Sequence, residues 1–262
     1  MRRALPWMLA GLAAGMGLLV VLPTRATDPP PASRASLPFQ TILELERTAR
    51  LLAILLDSGR AVVNDNQTLL DDPAKGDKGF TSDVFERQLI DMFRGRSGVD
   101  LREVETGTLS PRSRRLLKEL VAVSKQVVED AQANLNRSGA GYKGFIPAVF
   151  GERVAARFTA KTGVRLKQTA LVPRNPANRP DAYEQVALEA FADAAYPREQ
   201  VISEIAAAGA ALRLMFPLYA TRHCLDCHGQ PKGERDRTGY PREGLVLGQN
   251  AGAISVVLPV VP

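Results

Sequence analysis

The sequence predicts an α+β protein, and two patterns along the chain predict it. In the first half, apolar residues recur at helical spacing in long stretches. In the second half, short stretches alternate apolar and polar residues, as half-buried strands do. Because the helices precede the strands rather than alternating with them, we expect a small antiparallel sheet with helices on one side.

Length and composition narrow the class of protein. The 262 residues correspond to one large domain or two small ones, at roughly 150 residues per domain. With 45% hydrophobic and 24% charged residues, the chain can bury a core. The net charge of +6 contains no basic block, so we expect no nucleic-acid partner. Two cysteines and two histidines exclude a disulfide-dense scaffold and most histidine-rich metal sites.

The first 26 residues have the pattern of an export signal. A basic start precedes the uncharged residues 4–22, and small residues precede a predicted cleavage point after Ala26. The alternative is an uncleaved membrane anchor formed by residues 4–22. Either predicts a periplasmic or otherwise exported protein. Residues 1–26 hold three arginines and no acids, so the mature chain carries +6 − 3 = +3. Residues 27–40, with four prolines, read as a linker.

An internal duplication organises the first half of the chain. Shifted by 65 positions, residues 41–101 align with residues 106–166 without a gap, and 21 of the 61 pairs are identical. Average composition would produce about 4 identities by chance. The sequence therefore predicts a helical copy one over residues 41–105 and a copy two over 106–166, and copy two begins a domain that extends to residue 262.

Each copy is predicted to form two helices. The apolar spacing of the first helix is set by Leu45, Leu51, Leu52, Leu55, Leu56, Val62 and Val63, and in copy two by Leu116, Leu117, Leu120, Val121, Val127 and Val128. The second helix is predicted to start near Ser82 in copy one and at Pro147 in copy two. Gly98 and Gly163 are predicted to end these helices as left-handed caps. The copies contain no histidine or cysteine, which favours a scaffold role.

The chain after Gly163 is predicted to form the sheet. The sequence indicates a strand over 164–171, a proline-rich extended loop over 172–181 and an amphipathic helix over 182–194. The remaining predicted strands cover 200–205, 211–219 and 253–260, the first two of them joined around Gly209.

The functional signal is Cys224-Leu225-Asp226-Cys227-His228, because Cys-x-x-Cys-His is the attachment sequence for c-type haem. Two thiols on one turn can form thioethers with the two vinyl groups of a porphyrin, and the adjacent His228 then serves as the iron ligand. The sequence predicts one covalent haem c held by Cys224, Cys227 and His228. Export agrees, since this attachment takes place outside the cytoplasm.

Three other interpretations of the motif stay open. A zinc site needs four tetrahedral ligands, and the neighbours His223 and Cys224 do not easily reach one ion. A thioredoxin-type dithiol is expected at the start of a helix in a βαβ unit, whereas this motif follows a predicted antiparallel hairpin. A plain structural disulfide is the third.

Several motifs resemble one known family. They are Thr162-Gly163, Leu166-Lys167-Gln168-Thr169, Pro173-Arg174-Asn175-Pro176 with Asn178, Pro180-Asp181 and Glu184, Cys224 to Gly229, and Gly252-Ala253-Ile254-Ser255-Val256. They resemble exported single-haem domains with a PAS-like fold, seen in a small cyanobacterial c-type cytochrome and in periplasmic sensor modules. The likeness runs from about residue 106 to 262. It implies a PAS-like sheet, covalent haem c and a redox or haem-sensing role.

The chain departs from this family at the second axial position of the iron. Members can use a cysteine from the helical half, and residues 146–161 contain none. The sulfur alternatives are Met92 and Met215, each of which can equally fill the core. An open position would favour binding of a small gas, whereas a methionine would favour electron transfer.

Arg174 and Arg179 are predicted to bind the haem propionates, because a guanidinium pairs with a carboxylate through two hydrogen bonds. The alternative is that both are surface charges in a loop. Lys167 is a weaker option for the same role. Asn175 and Asp181 are expected to hold the loop through bonds to its backbone.

The predicted function is one-electron transfer or redox sensing through covalent haem. The alternative is a gas- or redox-sensing module that acts through a partner. A third hypothesis is a structural protein whose haem site is spent. A redox protein or a membrane receptor is the expected partner, with membrane attachment only if the N-terminal segment is uncleaved. No nucleophile–base pair or catalytic carboxylate pair appears, so the sequence does not predict an enzyme.

Overall fold

A computed structural model describes residues 37–206 and 210–260. The helices are α1 Phe39–Asp65, α2 Gln67–Leu70, α3 Ser82–Ser97, α4 Pro111–Leu135, α5 Pro147–Thr162, α6 Ala182–Ala192 and α7 Leu225–His228. The strands are β1 Arg165–Thr169, β2 Ile202–Ala206, β3 Ala211–Tyr219 and β4 Asn250–Pro259. The α+β prediction is confirmed. The predicted signal, most of the linker and the turn around Gly209 lie outside the described residues.

The second helix of each copy, α3 or α5, begins and ends where the sequence predicts. The hydroxyl of Thr81 accepts a hydrogen bond from the N–H of Val84 and so caps α3. Pro147 occupies the first turn of α5, where its missing N–H is not needed. Both helices end at left-handed glycines, with φ of 72° at Gly98 and 71° at Gly163.

The two copies pack around an approximate two-fold axis. Thr48 and Ser113, which are 65 positions apart, meet with their hydroxyl oxygens 2.6 Å apart. The rings of Phe85 and Phe150, also equivalent, lie 5.3 Å apart. Equivalent residues touch each other only near a symmetry axis, as in a homodimer.

The same symmetry appears as an exchange of hydrogen bonds between the copies. Asp71 of copy one accepts from the backbone N–H of Lys143, and the equivalent Asn136 of copy two accepts from the N–H of Lys78. Lys78 and Lys143 are themselves equivalent, and each buries its ammonium against backbone carbonyls of its own copy. The duplication found in the sequence is therefore a pseudo-dimer in space.

The four strands form an antiparallel sheet in the order β1-β4-β3-β2. Val256 of β4 pairs with Leu166 of β1 on one side and Leu214 of β3 on the other. These three side chains are buried in the same apolar core as the helices of both copies. Copy one, copy two and the sheet thus share a core. The predicted division at residues 105/106, and the PAS-like character of the sheet, stay predictions.

The prediction that helices lie on one side of the sheet is wrong. Leu214 faces the helices of the two copies, while its neighbour Met215 is buried on the opposite face. There Met215 packs with Leu188 and Phe191 of α6. Successive side chains of a strand point to opposite faces. The adjacent apolar residues Leu214 and Met215 are both buried, so helices cover the sheet on both faces.

None of the helices within residues 37–206 and 210–260 has the length and apolar character needed to cross a membrane.

Candidate functional site

The Cys-x-x-Cys-His motif lies in the connection between the two central strands. We call residues 220–249, which join β3 to β4, the motif loop. Its ends are closed by hydrogen bonds from Ala220 N–H to the carbonyl of Gln249 and from Gly248 N–H to the carbonyl of Ala220, each 2.8 Å long. A third bond, from Leu245 N–H to the carbonyl of His228, is also 2.8 Å long. The motif is therefore held against the return path of its own loop.

The two thiols project from one short helical turn. Cys224 closes a 3-10 turn and Cys227 lies in α7, and both are free and partly exposed. The Sγ of Cys224 is 3.3 Å from the hydroxyl of Thr221. Burial and the nearby carboxylate of Asp236 raise the pKa of the Cys227 thiol. Cys227 is therefore held as a protonated thiol at neutral pH.

Gly229 ends the turn because a side chain does not fit there. A Cβ at this position would lie 2.5 Å from the carbonyl oxygen of Leu225, which accepts the N–H of Gly229 in the same turn. The chain then leaves α7 directly after His228. This places the imidazole at the end of the turn rather than within a longer helix.

The imidazole of His228 is held by a carboxylate that the sequence analysis missed. Its Nδ1 lies 2.7 Å from Oε2 of Glu243, and both side chains are partly exposed. Among the described residues, Glu243 is the hydrogen-bond partner of the imidazole ring, and it binds at Nδ1. Nε2 is thus the nitrogen left to bind a metal, in the arrangement usual for metal-binding histidines.

Arg174 connects the proline-rich loop to the motif loop. Its Nε and Nη2 donate to the two carboxylate oxygens of Glu243 at 2.6 and 2.9 Å, and Nη1 donates to Asp236 at 2.6 Å. Nη2 also donates to the carbonyl of Cys227 at 2.9 Å. The guanidinium lies over the ring of Tyr240, 5.5 Å from its centre. Arg174 is therefore not a solvated surface charge.

These contacts bear on the predicted propionate role of Arg174. Four of the five N–H groups of a guanidinium are used within the chain, which leaves one on Nη1. A bidentate contact to a propionate would require the guanidinium to release Glu243 or Asp236. The propionate contact stays a prediction. The contacts that are present give Arg174 a structural role, since it holds Glu243, Asp236 and the backbone of Cys227 together.

Asp236 anchors the far end of the motif loop. Its side chain is fully buried and accepts from Arg174, from the N–H and hydroxyl of Thr238, and from the N–H of Tyr240. Burial opposes ionisation, but the hydrogen bonds from Thr238 and Arg174 prevail and lower the pKa of Asp236 to about 2. Burial likewise opposes ionisation of Glu243, yet Arg174 and His228 lower its pKa. Both carboxylates are therefore charged at neutral pH.

The motif loop also contacts the helical half of the protein. Arg237 forms an ion pair with Asp71 at the end of α2 and lies 5.2 Å from the centre of the Tyr142 ring. Asp71 is the residue that binds the backbone of Lys143 across the pseudo-two-fold axis. The junction of the two copies thus supports the loop that carries the motif.

Three further residues considered in the sequence analysis, Asn175, Asp181 and Lys167, make hydrogen bonds within the chain. Asn175 accepts from the N–H of Ala177, and Asp181 caps α6 with a capping box, so both hold the proline-rich loop as predicted. Lys167 donates to the buried Glu184 and to the carbonyl of Arg179. These contacts are structural.

Of the two methionines considered as iron ligands, one lies in the core and the other lies against it. Met215 is fully buried beside α6, and Met92 is partly buried against the core formed by the helices of both copies. His223 is exposed in the 3-10 turn before Cys224. Met215 thus packs as a core residue does, whereas the role of Met92 as an iron ligand stays a prediction.

Sequence reasoning missed Glu243 and Asp236 because nothing in their spacing marks them. Glu243 follows His228 by fifteen positions, and the hairpin that returns it to the imidazole is closed by backbone bonds such as that between Gly233 and Arg242. The available signal was weak: three acidic residues, Glu234, Asp236 and Glu243, in a glycine-rich stretch after the motif.

The fold and the site together define an α+β protein whose central hairpin loop presents two free thiols and a carboxylate-bound imidazole from one turn. Residues 39–259 match the Tll0287-like family, and the chain belongs to that family. Among solved structures, the chain is similar to the crystal structure of the cyanobacterial heme-protein Tll0287, with 21% identity and a TM-score of 0.40 over 57% of this chain and 96% of that chain. The search of curated proteins found no match.

Proposed function

We propose that this protein binds one haem c covalently through Cys224 and Cys227, with His228 as an iron ligand, and that it transfers single electrons or senses redox state. The proposal rests on the geometry of the motif, in which two thiols and one imidazole share a single turn. Both thiols are free on one turn, and the imidazole has Nδ1 bound to Glu243 so that Nε2 is available. Membership of a family named after a heme-protein supports it.

The surroundings of the motif also fit a porphyrin. Large apolar side chains are exposed in the segments that flank it: Leu171, Val172, Tyr240, Val246 and Leu247. Val172 is 85% exposed two residues before Arg174, and Val246 and Leu247 follow the residue whose N–H binds His228. Exposed apolar groups in the segments that form a polar site are typical of a surface that a ligand covers.

In this proposal the haem supplies a reversible Fe(II)/Fe(III) couple, and the chain supplies position and electrostatics. The thiols fix the porphyrin edge, His228 holds the iron, and Arg174 and Glu243 fix the imidazole. Export belongs to the proposal, because attachment requires a maturation system outside the cytoplasm. The proposal contains no catalytic step.

The experiment is expression of the full chain together with a haem c maturation system, followed by mass spectrometry and a pyridine haemochrome assay. We expect mature protein heavier than its polypeptide by one haem. In the Cys224→Ala/Cys227→Ala variant, haem should be extractable by acid acetone. A mature wild-type chain with the mass of the polypeptide alone would overturn the proposal.

Two neighbouring histidines provide a matched control for the iron ligand. His228→Ala should change the ferric absorption spectrum, because it removes the ligand carried by the motif. His223→Ala should leave that spectrum unchanged, since His223 is exposed and precedes the first cysteine. Equal spectral changes in both variants would contradict the assignment of His228.

A sensory module that binds a small gas is the second proposal, and it is favoured because Met215 is buried in the core and Met92 packs against the core. If neither methionine binds the iron, its sixth position would be available to an external ligand. Carbon monoxide added to the ferrous protein distinguishes the two functions. A large spectral shift supports the sensor, and an unchanged spectrum supports six-coordinate electron transfer.

A further inference from the structure

Glu243 stands between the imidazole of His228 and the guanidinium of Arg174. Its Oε2 is 2.7 Å from Nδ1 of His228 and 2.9 Å from Nη2 of Arg174, and its Oε1 is 2.6 Å from Nε of Arg174. A bidentate arginine fixes the plane of the carboxylate, and the carboxylate fixes the direction of the imidazole N–H. The three side chains thus form one chain of hydrogen bonds.

Arg174 and His228 also have contacts outside this chain of hydrogen bonds, and together they hold Glu243. Arg174 comes from the proline-rich loop after β1 and is anchored by the buried Asp236 and by the carbonyl of Cys227. Glu243 comes from the far end of the hairpin in the motif loop. His228 is tied through its carbonyl to Leu245. Contacts from separate segments leave the imidazole little freedom to rotate.

This arrangement has a defined electronic effect on an iron bound at Nε2 of His228. A carboxylate that accepts the Nδ1 proton makes the imidazole more basic, which favours the ferric state. A cation bound to that carboxylate withdraws charge from it and works in the opposite direction. The reduction potential of a haem responds to hydrogen bonding of this kind around its ligand.

We propose that Glu243 and Arg174 are positioning residues for His228 and shift the reduction potential of the iron in opposite directions. Glu243 lowers the potential through its hydrogen bond to Nδ1, and Arg174 raises it by neutralising Glu243. The inference rests on the proposed haem binding and assigns the residues that tune that site.

The test is a spectroelectrochemical titration of holoprotein carrying Glu243→Gln or Arg174→Gln. Glutamine keeps the shape of Glu243 without its charge, so we expect a higher potential. In Arg174→Gln, Glu243 loses its neutralising partner, so we expect a lower potential. A tenfold change in the ferric–ferrous equilibrium corresponds to about 59 mV for one electron, and we expect shifts of that order with opposite signs.

Asp226→Asn is the matched control for charge alone. Asp226 is exposed in the motif itself, two residues before His228. Its substitution removes one negative charge near the iron without touching the hydrogen-bonded chain, so its shift should be clearly smaller than that of Glu243→Gln. Electron paramagnetic resonance of the ferric protein gives a second readout, since loss of the bond at Nδ1 should change the g values.

The outcomes separate this inference from the proposed function. Wild-type protein without haem would overturn both. Haem attached in every variant, with potentials that shift in the same direction, not at all, or by as much as in Asp226→Asn, would overturn this inference alone. If Arg174→Gln fails to accumulate, Arg174→Lys keeps the charge and loses the bidentate geometry. It should leave the potential near that of the wild type and change the g values, and an unchanged g pattern would count against positioning by Arg174.

Discussion

Asp236 shows how one buried residue stabilises the motif loop. Its carboxylate is fully buried yet accepts hydrogen bonds from Thr238, Tyr240 and Arg174. A buried carboxylate is tolerated when its oxygens are bonded in this way, and removal of its charge leaves the donors without their partner. The stability of this loop should therefore depend on the ionisation of one acid.

We predict a pH-dependent loss of stability in Asp236→Asn. The pKa of Asp236 falls from 3.8 to about 2 on folding, so the charged form stabilises the fold above pH 4. That contribution, about 2 kcal/mol, is lost as the pH falls from about 4 to 2. Chemical denaturation should give the variant a lower free energy of unfolding at pH 7 and a difference that disappears near pH 2. A constant difference across this range would contradict the prediction.

At the residue scale, the sequence predicted what the chemistry of the motif requires and little of what surrounds it. Cys224, Cys227 and His228 are recognisable because they are adjacent along the chain. Glu243 and Asp236 reach the site only through the folding of the hairpin that follows, and neither has a spacing rule. The residues of the motif could therefore be predicted from the sequence, whereas the contacts between distant segments could be found only in the structure.

At the scale of elements, the ends of α3 and α5 were predicted from single residues. Pro147 occupies the first turn of α5, and Gly98 and Gly163 end the two helices in the left-handed region. Residues other than glycine pay a steric penalty there, since their Cβ approaches the following carbonyl. This local physics is why helix bounds were predictable.

The glycine cap of α3 can be tested against a second glycine in the same helix. Gly98→Ala should lower the free energy of unfolding by about 1–2 kcal/mol, because φ is 72° at this position. Gly95→Ala is the matched control. Gly95 is exposed inside α3 with no atom within 4 Å of an added Cβ, so alanine there should raise stability by up to about 1 kcal/mol. Substitutions with the same sign would contradict this account of the cap.

The position of α6 could not be predicted from its sequence. Its apolar residues indicated a buried face but not which face of the sheet they cover. Met215 and Ala253, which point away from the other helices, determine that choice. Whether a sheet is covered on one face or both depends on how all its strands align, and this is a tertiary property.

At the scale of the whole molecule, the duplication explains how the helices pack. The repeat was predictable because 21 of 61 aligned pairs are identical. Its pseudo-two-fold arrangement was not, because sequence identity does not say which surfaces meet. The pairs Thr48–Ser113 and Phe85–Phe150 show that the copies meet through equivalent surfaces.

A double-mutant cycle on Phe85 and Phe150 tests this interface. Phe85→Leu and Phe150→Leu should each cost about 1–2 kcal/mol, and the two should be similar because their environments are equivalent. Their coupling should be about 0.5–1.5 kcal/mol, the range for a pair of aromatic rings in contact. Phe93 and Phe158 are also equivalent and buried, but they form no ring pair within the described residues, so their cycle should be additive. Additivity at both pairs would contradict the packing.

The exchange between Asp71 and Asn136 has one further consequence. An assembly of two identical chains must carry every substitution twice, whereas a tandem chain can alter one copy alone. Asp71 has an acidic side chain that pairs with Arg237 of the motif loop, while its counterpart Asn136 is neutral and serves the backbone of Lys78. Because both copies lie in one polypeptide, two equivalent positions can carry different residues: Asp71 binds the motif loop through Arg237, whereas Asn136, among the described residues, binds only within the pseudo-dimer.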